Sequence, residues 1–197
     1  MRKLIFTLLI LVGFTAALQA EHVRAGIIAA AEFAEKPSVG EFFDTLGENT
    51  DLYPGIYGEV IIGHIGFGGT LMARFLHEDP PTGPREWTVD WIGTIDLRFH
   101  FLKRCFLDPF VEVSAGCAGQ ADITGALWDE DNWEDNLDVL AMSLFAQAGL
   151  GVALRLDHFH VGGKFVYRFA NEPIPGTDIA LYPLNSFQVS LFAGMSF

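Results

Sequence analysis

Long apolar runs and positive charge are both scarce in this 197-residue chain. Beyond the first 20 residues it contains no run of 18 apolar residues, whereas a membrane-spanning helix needs about 20. Its 12 Lys and Arg residues face 25 Asp and Glu residues, which gives a formal net charge of -13. Like charges repel, so nucleic-acid phosphate is a poor partner. The sequence excludes an ordinary helical membrane protein and predicts no nucleic-acid ligand.

Cysteine is limited to Cys105 and Cys117, too few for a disulfide framework. A strand from about Pro109 through Cys117 would hold the two α-carbons tens of ångströms apart, so we expect two free thiols. Catalytic motifs are lacking too, because the chain has neither a GxSxG nor an HxSNA-like stretch. The histidines are dispersed, and only His158 and His160 are close in sequence, a weak metal pair. We expect no enzyme, cofactor or metal site.

The N-terminus has the pattern of a secretory signal peptide. Arg2 and Lys3 precede an apolar run from Leu4 to about Leu18, and Ala20 stands where a cleavage site would fall. The run is shorter than a spanning helix requires. We therefore expect residues 1–20 to be a signal peptide and residues 21–197 to form one domain.

Strict alternation of apolar and polar residues is the main structural signal. In WTVDWIGTIDLRFHF, residues 87–101, the odd positions are apolar or Gly and the even positions are mostly polar. Period two over fifteen residues indicates an extended strand with two different faces. The same template predicts eight strands, at about 22–33, 54–63, 66–77, 87–101, 109–122, 139–155, 160–170 and 185–197.

The predicted connections alternate between long and short. Four long segments, such as HEDPPTGPRE, separate three short ones, such as LDHF. Long loops at one end and short turns at the other are typical of outer-membrane barrels. The sequence therefore predicts an all-β fold, an eight-stranded antiparallel up-and-down transmembrane β-barrel.

The charges of the strands fall on one face. The predicted lumen network comprises Arg24, Glu32, Glu59, Arg74, Asp90, Asp96, Arg98, His100, Glu112, Gln147, Arg155, Lys164 and Arg168. It contains five carboxylates and six cations, and the opposite face has no formal charge. Lipid demands such a face, since an Arg or Lys at the midplane costs about 2–4 kcal/mol. Aromatic girdles agree, with predicted members Tyr57, Phe67, Phe75, Trp87, Phe99, Phe101, Phe110, Tyr167, Phe169, Phe187 and Phe197.

The final strand, FQVSLFAGMSF, places apolar residues such as Phe187 and Val189 at alternate positions and ends in Phe197. It resembles the C-terminal signature that bacterial outer-membrane barrels present to their assembly machinery. The mature chain is similar to the small eight-stranded outer-membrane family that includes OmpX, OmpW and the OmpA transmembrane domain. The resemblance implies long loops at the cell surface, short turns in the periplasm, and outer-membrane lipid and the barrel assembly machinery as partners. We expect a monomer.

Two functions fit such a barrel. A lumen filled by side chains and ion pairs would be a polar plug, which leaves a structural or adhesin-like role to the loops. The alternative resembles OmpW: a narrow channel that accepts small hydrophobic molecules and releases them sideways, to which the lumen positions Ile92 and Phe145 would contribute. The plug is the first choice because apolar lumen positions are few.

The long loops hold most of the negative charge, sixteen of the 25 acidic groups. The third loop reads WDEDNWEDNLD from Trp128 to Asp138, with six carboxylates and no cation. It lacks the Gly and final Glu of a calcium-binding EF-hand loop, which leaves weak, adventitious Ca²⁺ binding open. We expect a contact surface for a basic extracellular protein at Trp128, Asp129, Glu130, Asp131, Trp133, Glu134 and Asp135. Acidic loops that only keep the surface hydrated are the alternative.

Overall fold

A computed structural model describes residues 22–33, 51–78, 86–102, 105–123, 138–173 and 186–197. Eight strands form a single closed barrel in chain order. They are β1 His22–Phe33, β2 Asp51–Ile62, β3 Ile65–Glu78, β4 Glu86–His100, β5 Leu107–Asp122, β6 Asp138–Leu156, β7 Phe159–Pro173 and β8 Phe187–Ser196. Within these ranges no helix is long and apolar enough to cross a membrane.

Every strand pairs antiparallel with its neighbours, and β1 closes the barrel against β8. Gly63 and His64 join β2 to β3, residues 101–106 join β4 to β5, and Asp157 and His158 join β6 to β7. We call the end that carries these connections the turn end and the opposite end the loop end. Gly63 and Asp157 have positive φ, 63° and 58°, which lets the two-residue turns reverse the chain. The all-β, eight-stranded barrel predicted from the alternation is confirmed.

Alternation along each strand sorts side chains between the inside and the outside of the barrel. In β4, Ile95, Leu97 and Phe99 are exposed, whereas Asp96, Arg98 and His100 are buried. This is the expected result of the two-residue period of a strand, with apolar side chains outward and polar ones inward. Large apolar side chains cover the outside of the other strands as well, including Ile56, Leu71, Val113, Leu150 and Leu191. Such an exterior suits lipid and not water.

Most strand boundaries lie within two residues of their predicted positions. The largest differences are three residues, at the end of β7, which reaches Pro173 instead of residue 170, and at the start of β2. Strand β2 begins at Asp51 instead of Pro54. Proline cannot donate a ladder hydrogen bond, so a sequence pattern stops at it. Here Pro54 pairs with Ala29 of β1, while the pairing of β2 with β3 begins only at Gly55. Pro54 is tolerated because it lies on a locally open strand edge.

The rim at the loop end is uneven. Pairing of β2 with β3 ends at Gly55 and Met72, whereas β3 and β4 pair as far as Glu78 and Glu86. On the other side, β8 pairs with β7 only as far as Tyr167, whereas β7 pairs with β6 as far as Pro173. Strands β3 to β7 therefore extend past β8, β1 and β2. We call this extension the raised wall.

Candidate functional site

The barrel interior is where the chain concentrates its charged side chains. Ten of the predicted lumen residues are buried: Arg24, Glu59, Asp90, Asp96, Arg98, His100, Glu112, Gln147, Lys164 and Arg168. Glu32 is buried too, at 8% exposure. The side chains of Arg74 and Arg155 are 20% and 16% exposed. All of these positions share the inward parity of their strands.

Asp108 is the centre of the network near the turn end. Its Oδ2 accepts hydrogen bonds from Nη2 of Arg24 at 3.0 Å and from Nη2 of Arg155 at 2.6 Å. Nδ1 of His100 lies 2.9 Å from the same oxygen. Four strands, β1, β4, β5 and β6, therefore meet at one carboxylate. Hydrogen bonds between ionised groups are shorter and stronger than neutral ones, so Asp108 ties the turn end together.

Glu112 forms a second centre four residues further along β5. Its Oε2 accepts a hydrogen bond from Nε of Arg98 at 2.6 Å, and its Oε1 accepts one from Nζ of Lys164 at 2.7 Å. Arg98 also donates to Asp96 at 3.3 Å, and the hydroxyl of Thr70 donates to Asp96 at 2.9 Å. The guanidinium of Arg98 therefore lies between two carboxylates and contacts both.

Glu59 of β2 connects the two centres. Its Oε1 lies 3.0 Å from Nε2 of His100 and 3.5 Å from Nη1 of Arg98, and its Oε2 lies 3.5 Å from Nη1 of Arg24. The connected groups number four carboxylates (Glu59, Asp96, Asp108, Glu112) and four cations (Arg24, Arg98, Arg155, Lys164). His100 is the additional member. The network closes the turn-end half of the interior without leaving a net surplus among its permanently charged groups.

Two smaller clusters lie on opposite walls nearer the loop end. Arg74 donates to Asp90 at 2.6 Å, and its guanidinium lies 4.9 Å from the centre of the Tyr53 ring. Arg168 donates to Glu32, and its guanidinium lies 4.1 Å from the centre of the Phe145 ring. Each arginine is thus held by a carboxylate and an aromatic face, an arrangement that stabilises a desolvated cation.

Apolar side chains occupy more of the interior than the sequence analysis expected. Buried residues inside the barrel form one cluster that comprises Ile28, Ala30, Tyr53, Tyr57, Met72, Ile92, Phe110, Ala118, Phe145, Ala153 and Phe192. The predicted lumen positions Ile92 and Phe145 are among them, at 0% and 4% exposure. The expectation of few apolar lumen residues was wrong. These side chains fill the spaces between the ion pairs and pack against the guanidinium groups.

Two predicted girdle residues lie inside the barrel instead. Tyr57 is 6% exposed and its hydroxyl contacts Nε2 of His160, while Phe110 is 2% exposed and its ring lies 5.3 Å from the Arg98 guanidinium. Each has the same parity as a lumen carboxylate two residues away, Glu59 and Glu112. Parity decides the face of a strand, so it could have identified both. The outward Phe67, Phe75, Phe99 and Phe169 are exposed, as a girdle requires.

Asp108 and His160 are buried acidic and histidine residues that sequence reasoning missed. Asp108 was assigned to the turn LKRCFLD, and His160 to a turn flank. Both share the parity of known lumen residues, Glu112 for Asp108 and Lys164 for His160. Among the described residues, the ring nitrogens of His160 contact only hydroxyl groups, those of Tyr57 and Ser196. Within the described part of the chain, no carboxylate is hydrogen-bonded to this ring, as the orienting group of a hydrolase triad would be.

The C-terminal segment and the third loop complete the predicted sites. Phe197, 72% exposed, exchanges two backbone hydrogen bonds with Val23, at 2.8 and 3.1 Å, and so joins the barrel at the turn end. Phe187 and Val189 pair with Phe33 and Ala31 of β1. Residues 1–20 and the contact positions Trp128, Asp129, Glu130, Asp131, Trp133, Glu134 and Asp135 lie outside the described residues. Cys105 and Cys117 are free thiols, as expected.

Solved structures resemble this barrel in fold. Neisserial surface protein A (NspA) matches with a TM-score of 0.54 and 12% identity over 89% of this chain and 94% of that one. Ail, the attachment invasion locus protein of Yersinia pestis, gives 0.48 and 10% over 91% and 99%. OprG of Pseudomonas aeruginosa gives 0.47 and 10% over 89% and 94%. No family model matches the chain, and neither does any curated protein sequence. The fold is that of the small eight-stranded outer-membrane barrels.

Proposed function

We propose that this chain is a surface-interaction protein of the outer membrane, adhesin-like, with its contacts made by the acidic third loop. The observation that carries the proposal is the position of the two strands that this loop connects. The loop joins β5 to β6, whose last described pair is Asp122 with Asp138. These two strands lie in the middle of the raised wall, beyond the rim formed by β8, β1 and β2. Among the described residues, a partner that approaches the loop end meets the raised wall first.

Charge supports a basic partner. The third loop contributes six of the 25 acidic groups and no cation. Complementary charge accelerates encounter and selects against partners of like charge. Trp128 and Trp133 add aromatic side chains, which are enriched at the centres of protein interfaces. We therefore assign the contact to Trp133 and the carboxylates around it.

The filled interior supports a role at the surface over transport. Ile92, Asp96, His100, Asp108 and Ser190 are all 0% exposed, although they lie at different heights of the barrel. An eight-stranded barrel has an interior just wide enough for side chains to fill it. A narrow channel for small hydrophobic molecules, the alternative function, would require these side chains to move apart.

Binding of a purified, folded protein to immobilised polylysine tests the proposal. The test variant neutralises the third loop by D129N, E130Q, D131N, E134Q and D135N. The matched control neutralises the first loop by E35Q, E41Q, D44N and E48Q. We expect the third-loop variant to lose most of the binding and the first-loop variant to keep most of it.

Salt provides the second reading of the same experiment. Exposed charges are screened over about 8 Å at physiological ionic strength and over about 3 Å at 1 M, so binding of the unmodified protein should weaken steeply as salt is added. Trp133→Ala should reduce binding at every salt concentration. Binding that does not change with salt concentration, or that is unchanged in the third-loop variant, would count against the proposal. Either result would favour loops that only keep the surface hydrated.

A further inference from the structure

His100 has a carboxylate at each of its two ring nitrogens. Nδ1 lies 2.9 Å from Oδ2 of Asp108, and Nε2 lies 3.0 Å from Oε1 of Glu59. The ring is 0% exposed, so water does not mediate either contact. Both distances are those of direct hydrogen bonds.

The two carboxylates determine how many N–H donors the ring must supply. An ionised carboxylate only accepts hydrogen bonds, and a neutral imidazole has one N–H donor and one acceptor nitrogen. A neutral His100 could therefore satisfy Glu59 or Asp108 and would turn a lone pair toward the other. Only the imidazolium form donates to both. The geometry thus requires one proton more than ionised carboxylates and a neutral ring would hold.

The neighbours of the two carboxylates indicate where this proton lies. Oδ2 of Asp108 already accepts from Arg24 and Arg155, and Glu59 faces Arg24 and Arg98. Cations at this distance favour the ionised form of a carboxylate, which leaves the ring as the proton's place. Gly66 of β3 and Phe110 of β5, which carry no charge, also lie against the ring. Phe192 of β8 contacts Phe110 on one side and His160 of β7 on the other.

We propose that His100 is a buried imidazolium and that its proton seals the turn end of the lumen. Beside Arg24, which contacts both carboxylates, the ring is the second connection between Asp108 and Glu59. Asp108 gathers β1 and β6, and Glu59 of β2 leads to Arg98 and Glu112. Without the second N–H, a carboxylate and a ring nitrogen would face each other with lone pairs only, about 3 Å apart. The ring and that carboxylate would move apart, and water would enter between the Asp108 centre and the Glu112 centre. The seal does not depend on what the surface loops bind.

Nitrogen NMR of the histidine-labelled protein in micelles tests the protonation state directly. At pH 8, an ordinary exposed histidine has lost its proton, so free histidine at the same pH provides the reference spectrum. We expect His100 to show both ring nitrogens protonated at this pH. A spectrum in which His100 is neutral, with one protonated and one bare nitrogen, would overturn the proposal.

Ion leakage from vesicles tests the seal. His100→Gln keeps a side chain that can donate to one carboxylate but presents an acceptor or a gap to the other, whereas His158→Gln alters only the exposed turn. We expect leakage with His100→Gln and the unmodified low level with His158→Gln. If His100→Gln folds and stays as tight as the unmodified barrel, the proton does not seal the lumen. If it fails to fold, the NMR measurement on the unmodified protein still decides the proposal.

Discussion

Asp108 of β5 and Arg155 of β6 are joined by a hydrogen bond of 2.6 Å between Oδ2 and Nη2, and the Asp108 side chain is wholly buried. The same oxygen also serves Arg24 and His100. One carboxylate therefore balances several donors that come from three other strands. If this centre organises the interior, its removal should have effects well beyond one lost contact.

Asp108→Asn should destabilise the folded barrel strongly. The amide keeps the shape of the side chain but removes the charge, which leaves Arg24 and Arg155 without their shared counter-ion. Breaking a buried ion pair by removing one partner costs about 3–5 kcal/mol. Urea unfolding in lipid vesicles, followed by the gel mobility of folded and unfolded protein, measures the change.

Asp157→Asn is the matched control for that substitution. Asp157 is 89% exposed at its side chain, lies in the β6–β7 turn and has a φ of 58°. Asn tolerates a positive φ well, so we expect a change within about 0.5 kcal/mol. Equal effects of the two substitutions would mean that Asp108 does not hold the interior together.

Leu150→Arg tests whether lipid surrounds the outer face. Leu150 is 63% exposed in the middle of β6. An Arg at the midplane of a membrane barrel costs about 2–4 kcal/mol, and one near the interface costs about 0–1 kcal/mol. Leu156, 51% exposed at the turn end of the same strand, supplies the comparison. Unfolding in vesicles should show a much larger loss of folding free energy for Leu150→Arg than for Leu156→Arg. Equal losses would contradict the placement of the outer face in lipid.

Gly26→Ala tests the closure of β1 against β8. A Cβ at Gly26 would lie 2.1 Å from the carbonyl oxygen of Ala193 and 2.6 Å from the α-carbon of Gly194. Such contacts force the strands apart, and overpacking of this kind costs about 1–3 kcal/mol. At Gly58 the nearest such atom is 3.8 Å away. The fraction of protein that folds into vesicles should fall with Gly26→Ala and remain nearly unchanged with Gly58→Ala. If both variants fold as well as the unmodified protein, β1 and β8 are not packed as closely as described.

Much of this fold could be predicted because each strand of a membrane barrel alternates between lipid-facing and interior-facing residues, and this alternation is visible in the sequence. Alternation predicted the eight strands and the inward parity of Arg98, Glu112 and Lys164, since each strand must face lipid on one side. The exact start of β2 could not be predicted, because Pro54 is compatible with a strand only where β3 leaves it unpaired. That depends on the barrel's register and not on the local pattern.

The pairing of the interior is the part that sequence could not provide. Arg24 and Asp108 are 84 positions apart, and they meet only because the closed barrel brings β1 and β5 across the lumen. Tyr57 and Phe110 were predicted for the girdle on their residue type, although their parity points inward. Parity was thus the better predictor of position, while partner choice required the structure.

Conductance of the purified barrel in a planar lipid bilayer at neutral pH tests the closed interior most directly. With the interior filled from Asp108 to Ile92, we expect no discrete openings above the level of the bare membrane. Discrete openings that a small hydrophobic solute blocks would contradict the closed interior and establish a channel in its place.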